Sequence, residues 1–284
     1  MIDFPHCKIN LGLNITEKRQ DGIHNLETIF VPVPIHDVLE IVVQQDYSPD
    51  EPVIFSTSGI AIPGSTDNNL CIKAWHLLKR DYPEKVKPVQ IHLIKHIPIG
   101  AGLGGGSSDG AFTLKMLNKL FVLNLSQAQL IDYALVLGSD CPYFIFDTAC
   151  YATGRGERLT PVTLNLQPSH LLIMNPGIHI NTGLAFRYIT PKPNHRDLMQ
   201  VSNLPLKDWH QVLVNDFEAP VTTDYPVIAR LLSDLQNAGA GYTAMSGTGS
   251  TVFGIFENQK DILDMEARFK TEYPSFYIKA VSWK

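Results

Sequence analysis

A dense glycine segment constrains this 284-residue chain more than any other part of its sequence. Residues 98–109 read PIGAGLGGGSSD, and glycine accepts positive φ angles that bring the backbone close to a ligand. Alternating apolar residues at 89–94 predict a strand before this segment, and the apolar pattern of 111–120 predicts a helix after it. Backbone N–H groups at the start of that helix are suited to bind an anion such as phosphate.

Two other nucleotide-binding motifs fit this segment poorly. A Walker A loop needs a lysine after its last glycine, where this chain has Ser107 and Ser108. Gly100, Gly102 and Gly105 match the G-x-G-x-x-G spacing, but no acidic residue follows at the end of a second strand about 20 residues on. A dinucleotide-dependent oxidoreductase is therefore a weaker alternative. Apolar elements on both sides disfavour a flexible linker.

Composition narrows the class of protein. Apolar residues make up 44% and charged residues 18%, which is typical of a globular chain, and the net charge of −5 argues against a nucleic-acid partner. The four cysteines lack C-x-x-C spacing and are interpreted as reduced thiols. Neither a membrane span nor a signal peptide is recognised in the sequence, so we expect a cytoplasmic protein.

Strands and helices follow one another without strict alternation, which favours an α+β fold with largely antiparallel sheets. We place a domain boundary between residues 158 and 159, giving domains 1–158 and 159–284. A helix is predicted over 67–82 with Asp67 or Asn68 as its N-cap. Short strands are predicted at 143–146 and 150–153.

Several polar residues are candidates for chemistry. Lys8 lies in an otherwise apolar strand with Asn10 on the same face, which indicates either a shared cleft or an exposed strand face. Asp140 lies between Gly138 and Pro142, as either a general base or an ordinary turn residue. His24 is either a ligand contact or a partly exposed polar residue. A second glycine loop, SGTGS at 246–250, is either a hairpin turn or a further phosphate contact.

Taken together, these segments resemble the GHMP kinase family across nearly the whole chain. The matching segments are KINL at 8–11, DGIH at 21–24, NNL at 68–70, residues 98–108, LGSDCP at 137–142 and SGTG at 246–249. The resemblance implies a two-domain fold of mixed and antiparallel sheets with helices, and an active site in the cleft between the domains. Domain 1–158 would bind ATP, and domain 159–284 would lie on the substrate side.

The resemblance also implies an activity. It is ATP-dependent phosphorylation, with Mg²⁺, of the 2-hydroxyl of a cytidine-diphosphate alcohol in isoprenoid precursor synthesis. Asp140 would be the catalytic base, and Lys8 would keep it ionised. The implied ATP-binding residues are Asn69, Leu70, Lys95, Pro98, Ile99, Gly100, Ala101, Gly102, Leu103, Gly104, Gly105, Gly106, Ser107 and Ser108. The implied substrate-binding residues are Asn10, His24, Thr182 and Phe186.

The alternatives are another small-molecule kinase of this family, of the mevalonate or homoserine type, and a non-catalytic nucleotide or metabolite sensor on the same fold. The metal ligands and the oligomeric state stay open. Ile23 stands where the family often has tyrosine, and Asn68 where aspartate is common. Asp109-Gly110 replaces a more usual Asn-Ala pair. A carboxylate there would repel phosphate if it faced the ligand, so we expect Asp109 to point away, towards a lysine.

Overall fold

The computed structural model describes residues 1–46, 52–166, 169–193, 197–257 and 262–283. The strands are β1 (Ile2–Asp3), β2 (His6–Lys18), β3 (His24–His36), β4 (Val38–Val43), β5 (Val53–Gly59), β6 (Val89–Lys95), β7 (Cys150–Thr153), β8 (Arg158–Pro161), β9 (Ser169–Asn175), β10 (Tyr242–Met245), β11 (Val252–Phe256) and β12 (Tyr277–Trp283). The α-helices are α1 (Leu70–Asp81), α2 (Gly105–Leu120), α3 (Gln127–Leu137), α4 (Tyr143–Phe146), α5 (Thr182–Ala185), α6 (Glu218–Asp224), α7 (Pro226–Asn237) and α8 (Ile262–Glu272).

The chain forms two compact units. Unit 1 combines Met1–Cys7, Ile35–Ile99 and Gly104–Asp147. Its sheet has the strand order β1-β4-β6-β5, in which β5 is parallel to β6 and the other pairs are antiparallel. Helices α1 and α2 pack closely, because Gly110 presents no side chain: a Cβ there would lie 2.8 Å from the Cβ of Leu70.

Unit 2 combines Lys8–Pro34, Gly100–Leu103 and Thr148–Lys284. It contains two antiparallel sheets, with strand orders β2-β3-β7-β8 and β10-β11-β9-β12. Helices α7 and α8 pack on the second sheet. Apolar residues from these elements form one buried cluster, which includes Leu172, Ile228, Leu231, Phe269 and Ile278. Burial of such side chains is the main stabilising contribution in this unit.

The predicted α+β class with mixed and antiparallel sheets is confirmed. The two compact units do not coincide with a single boundary between residues 158 and 159, because each unit joins separate stretches of the chain. The assignment of ATP to the first predicted domain and of substrate to the second stays a prediction. No helix in the described residues has the length and apolar character needed to cross a membrane.

Two local predictions are wrong. Asn69, rather than Asp67 or Asn68, caps α1: its Oδ1 accepts a hydrogen bond from the Cys71 N–H at 2.9 Å. Residues 143–146 form a helical turn instead of a strand. A four-residue apolar run fits a strand or a buried helix equally well. Pro142, with φ −55°, already has the helical backbone conformation that proline favours at helix starts.

Candidate active site

In unit 1, α2 begins in the conformation expected of an anion-binding helix. Gly104 adopts the left-handed conformation at φ 70° and ψ 14°, and no side chain caps the helix. A Cβ on Gly106 would meet no atom within 4 Å, so the backbone of the first turn borders open space. The first N–H groups of a helix have no carbonyl partner within it and carry partial positive charge. This helix start is therefore suited to receive a phosphate.

The start of α2 also approaches the end of β6. A Cβ on Gly105 would lie 2.8 Å from Cγ2 of Ile97 and 3.1 Å from Nζ of Lys95. Any larger residue at position 105 would push the helix away from the strand. Pro98 is buried and Ile99 is exposed at the point where the chain leaves β6. The glycine is thus required by packing as well as by access to the backbone.

A buried charge cluster lies beneath this helix start. Lys95 donates through Nζ to Asp37 and, at 2.7 Å, to Oδ2 of Asp109, and all three side chains are at most 2% exposed. The predicted contact between Asp109 and a lysine is confirmed, whereas its orientation away from the ligand stays a prediction. Burial opposes the charge on Lys95, but the fields of Asp109 and Asp37 outweigh it and raise the pKa of the ammonium group. Burial also raises the pKa of Asp109, with Lys95 acting in the opposite direction.

The segment that carries Asp140 contacts the first turn of α2. The Ser107 side chain lies beside the thiol of Cys141, the residue that follows Asp140, and acts to lower the pKa of that thiol. Burial nevertheless raises the pKa of that thiol to about 12, so it stays protonated. Asp140 itself is half-buried. Ser108 is fully buried, and its Oγ has no hydrogen-bond partner among the described residues. The structure therefore brings the predicted base segment to the predicted phosphate-binding helix.

In unit 2, the segment Gly100–Leu103 packs against the second glycine loop. Gly102 has φ +78°, and a Cβ there would lie only 2.0 Å from the Ser246 carbonyl oxygen. The Ser246 hydroxyl donates to the Gly102 carbonyl at 2.8 Å. Asn215 holds the second loop by donating to the carbonyl of Met245, the residue before the loop, at 2.7 Å and to that of Gly247 within it at 2.8 Å. Residues 246–250 are thus partly a support for the first loop.

Lys8 is held in this same loop pair. Its Nζ donates to Oδ1 of Asn10 at 2.7 Å and to the Gly102 carbonyl at 3.1 Å, and it lies 5.0 Å from the centre of the Phe30 ring. Asn10 donates in turn to the Thr28 hydroxyl at 3.0 Å. The shared face predicted for Lys8 and Asn10 is correct. A buried ammonium with fixed partners is a preorganised positive charge, the type of group that stabilises a developing anion.

The remaining predicted substrate residues also lie in unit 2. The rings of His24 and Phe186 stack with their centres 4.6 Å apart and their planes at 21°. Phe186 packs edge-on against Phe217. The Thr182 and Thr248 hydroxyls are 3.3 Å apart, which places α5 beside the second glycine loop. Burial, and secondarily the charge of Lys18, lowers the pKa of His24 and favours its neutral ring.

Two residues of this region were missed by sequence reasoning. Asp37 accepts the backbone N–H groups of His96 and Ile97 at 2.6 and 2.9 Å, in addition to Lys95. Asn215 supports the second loop as described above. The available signal for Asp37 was a single carboxylate between two apolar strand patterns, at 29–35 and 38–43. Asn215 had no such signal, because its partners lie about 30 residues further along the chain.

Among the described residues, no group of three or more histidine, cysteine, aspartate or glutamate side chains is placed to hold a metal ion. All four cysteines are buried and free of disulfides.

Comparison with known proteins identifies the family. A model of the GHMP kinases N terminal domain matches residues 69–148, and a model of the GHMP kinases C terminal region matches residues 195–275. The chain belongs to the GHMP kinase family. Membership of this kinase family implies the use of ATP. The residues discussed above at the start of α2 and in the Asp140 segment fall within the first match.

Individual relatives carry a more specific name than the family does. The chain is 45% identical over 271 residues to a 4-diphosphocytidyl-2-C-methyl-D-erythritol kinase of Bacteroides fragilis, covering 95% of this chain and 97% of the relative. It is 46% identical over 262 residues to the enzyme of the same name from Cytophaga hutchinsonii, covering 92% and 94%. A crystal structure of 4-(cytidine 5'-diphospho)-2C-methyl-D-erythritol kinase matches over the full length of both chains, with 26% identity and a TM-score of 0.83.

Proposed function

We propose that this chain is an ATP-dependent kinase that phosphorylates the 2-hydroxyl of 4-diphosphocytidyl-2-C-methyl-D-erythritol. The observation that carries the proposal is the contact between the Asp140 segment and the first turn of α2, through Ser107 and Cys141. A phosphate-binding helix start beside a carboxylate is the pairing that phosphoryl transfer to an alcohol requires. The substrate is proposed from the relatives, which are 45–46% identical to this chain over at least 92% of its length.

The proposed reaction uses few groups. The hydroxyl oxygen of the alcohol attacks the γ-phosphorus of ATP, the bond to the bridging oxygen of ADP breaks, and Asp140 accepts the hydroxyl proton. The backbone N–H groups of Gly105, Gly106 and Ser107 are proposed to bind the phosphates. Lys8 is proposed to keep Asp140 ionised and to stabilise negative charge on the reacting oxygens. Mg²⁺ is proposed to enter with ATP, because magnesium is usually held by phosphates, waters and one or two carboxylates.

Substrate recognition is proposed to lie in unit 2. The stacked pair His24 and Phe186 offers aromatic surface for a cytosine ring, and Ile23 supplies no further ring. Asn10 and Thr182 are proposed as polar contacts on the same side. The four free cysteines are consistent with the reducing cytoplasm in which ATP-dependent biosynthesis takes place.

A substrate panel tests this proposal. Purified protein with ATP and Mg²⁺ is offered the diphosphocytidyl alcohol, mevalonate and homoserine, and ADP formation is measured. We expect turnover with the first compound alone. Turnover with mevalonate or homoserine instead would assign a different kinase of the family. Tight nucleotide binding without any turnover would favour a sensor.

Replacement of the base tests the mechanism. Asp140→Asn keeps the size of the side chain and removes its basicity, so kcat should fall at least about a hundredfold, the lower end of what general base catalysis contributes. Binding of ADP, measured by calorimetry, should be unchanged. Wild-type turnover in this variant would remove Asp140 from the mechanism.

A further inference from the structure

Lys95 is predicted as an ATP-binding residue, yet its ammonium group is enclosed in the protein. The side chain is 2% exposed, and its Nζ is hydrogen-bonded to two carboxylates. Because two acidic side chains surround one ammonium group, Lys95 offers little net positive charge to a phosphate. A direct contact between this group and ATP would require the cluster to open. An indirect action on the nucleotide site fits the observed contacts better.

The contacts of the cluster connect both flanks of the glycine segment within unit 1. On the strand side, Oδ1 of Asp37 accepts the N–H groups of His96 and Ile97, the first residues after β6. On the helix side, Asp109 lies in the second turn of α2. Lys95 joins the two carboxylates. A continuous chain of charge-assisted hydrogen bonds therefore runs from the end of β6 to the start of α2, and such bonds are the stronger ones in proteins.

Packing places this chain of bonds directly under the phosphate-binding turn. Nζ of Lys95 lies 3.1 Å from the position of a Cβ on Gly105, the first residue of α2. A shift of the ammonium group would therefore displace the first turn of α2, whose N–H groups face open space. Displacements of about 1 Å in a binding geometry are enough to reduce function strongly.

We propose that Lys95, Asp37 and Asp109 are positioning residues for the nucleotide: the buried ammonium group fixes the start of α2 against the end of β6. The triphosphate then meets a preformed set of N–H groups, without any contact to the lysine side chain. The inference rests on the proposed kinase function only for its kinetic readout. Its binding readout is independent of that function.

A double variant that breaks this chain of hydrogen bonds without changing the net formal charge of the cluster tests the proposal. The double variant Lys95→Met/Asp109→Leu removes the ammonium and one carboxylate, while Asp37 keeps its two backbone donors. We expect a folded protein whose Kd for ADP, measured by calorimetry, and whose KM for ATP are each raised about tenfold. Its KM for the alcohol should stay within twofold of wild type. Asp109→Asn retains an oxygen acceptor for Lys95 and should bind ADP within threefold of wild type.

Lys79→Met is the matched control. Lys79 also donates to backbone carbonyls in unit 1, those of Pro83 and Val86, but it lies at the far end of α1. Its loss should leave the Kd for ADP unchanged. A folded double variant that binds ADP like wild type would overturn the proposal. The proposal would also be overturned if Asp109→Asn weakened ADP binding as much as the double variant does. If the wild-type protein binds ADP but phosphorylates no alcohol, the proposed function fails while the binding comparison still decides the role of the cluster.

Discussion

Replacing Gly102 by alanine is the sharpest test of how the two glycine loops of unit 2 fit together. Gly102 has φ +78°, and a Cβ at this position would lie 2.0 Å from the Ser246 carbonyl oxygen. Non-bonded atoms normally stay about 3.5–4 Å apart, so the loops would have to separate by more than about 1 Å. That movement would break the hydrogen bonds that the Gly102 carbonyl accepts from Ser246 and from Lys8.

The expected loss in the free energy of unfolding of Gly102→Ala is the sum of two parts, one from the backbone and one from the lost hydrogen bonds. Left-handed backbone at a residue with a Cβ costs about 1–2 kcal/mol. Loss of one neutral hydrogen bond and one to a charged donor adds about 1 and about 2 kcal/mol, so the free energy of unfolding should fall by about 4–5 kcal/mol. Gly177→Ala is the matched control, because Gly177 has φ +74° in the same unit and a Cβ there would meet nothing within 4 Å. It should cost only the backbone part, about 1–2 kcal/mol.

Urea unfolding followed by circular dichroism measures both variants. A difference of about 3 kcal/mol between them would support the loop contact, since the backbone term cancels. Equal losses in Gly102→Ala and Gly177→Ala would refute the reasoning, because they would mean that the Ser246 carbonyl does not press against Gly102 in solution.

Two further predictions concern stability. Val122 is 64% exposed and has a positive φ of 49°. Val122→Gly should therefore relieve backbone strain and raise the free energy of unfolding by about 1 kcal/mol. Val136→Gly, at an equally exposed helical position, should lower the free energy of unfolding. Burial raises the pKa of Asp109, so the folded protein retains a proton there that the unfolded chain releases. This stabilisation is complete below the ordinary carboxyl range and is lost as the pH rises through the raised pKa, at up to about 1.4 kcal/mol per pH unit. Asp109→Asn should remove this slope in unfolding curves taken between pH 4 and pH 8; an unchanged slope would contradict the pKa direction.

Local sequence signals predicted the parts of the site that depend on neighbouring residues. Glycine density and the apolar pattern behind it predicted a helix after the glycine segment, although α2 already begins within that segment, at Gly105. Alternation in β2 placed Lys8 and Asn10 on one face. The charge of Asp109 was sufficient to predict a lysine partner, because a carboxylate near phosphate needs neutralisation. The cap of α1 was misplaced because Asp67, Asn68 and Asn69 are all good N-cap residues.

Contacts between distant segments were not predictable in the same way. Gly102 and Ser246 are 144 residues apart, and neither glycine loop indicates by its composition that it packs against the other. Asp37 lies 58 residues before Lys95, in a turn whose single carboxylate is typical of exposed turns as well. Such pairs are fixed by the topology of the sheets, which a pattern of apolar residues along one chain leaves open.

The Asp109-Gly110 pair, which departs from the more usual Asn-Ala, has two separate physical reasons. Asp109 is compatible with a phosphate-binding helix only because Lys95 neutralises it from below, so the acid and the base are coupled and neither is favourable alone. Gly110 carries no side chain because α1 approaches α2 at that point, with the Cβ of Leu70 2.8 Å from where a new Cβ would lie. Leu70 is also one of the implied ATP-binding residues. The departure at 109 therefore concerns the phosphate side of the proposed nucleotide site, whereas the departure at 110 sets how closely the first residue of α1 approaches α2.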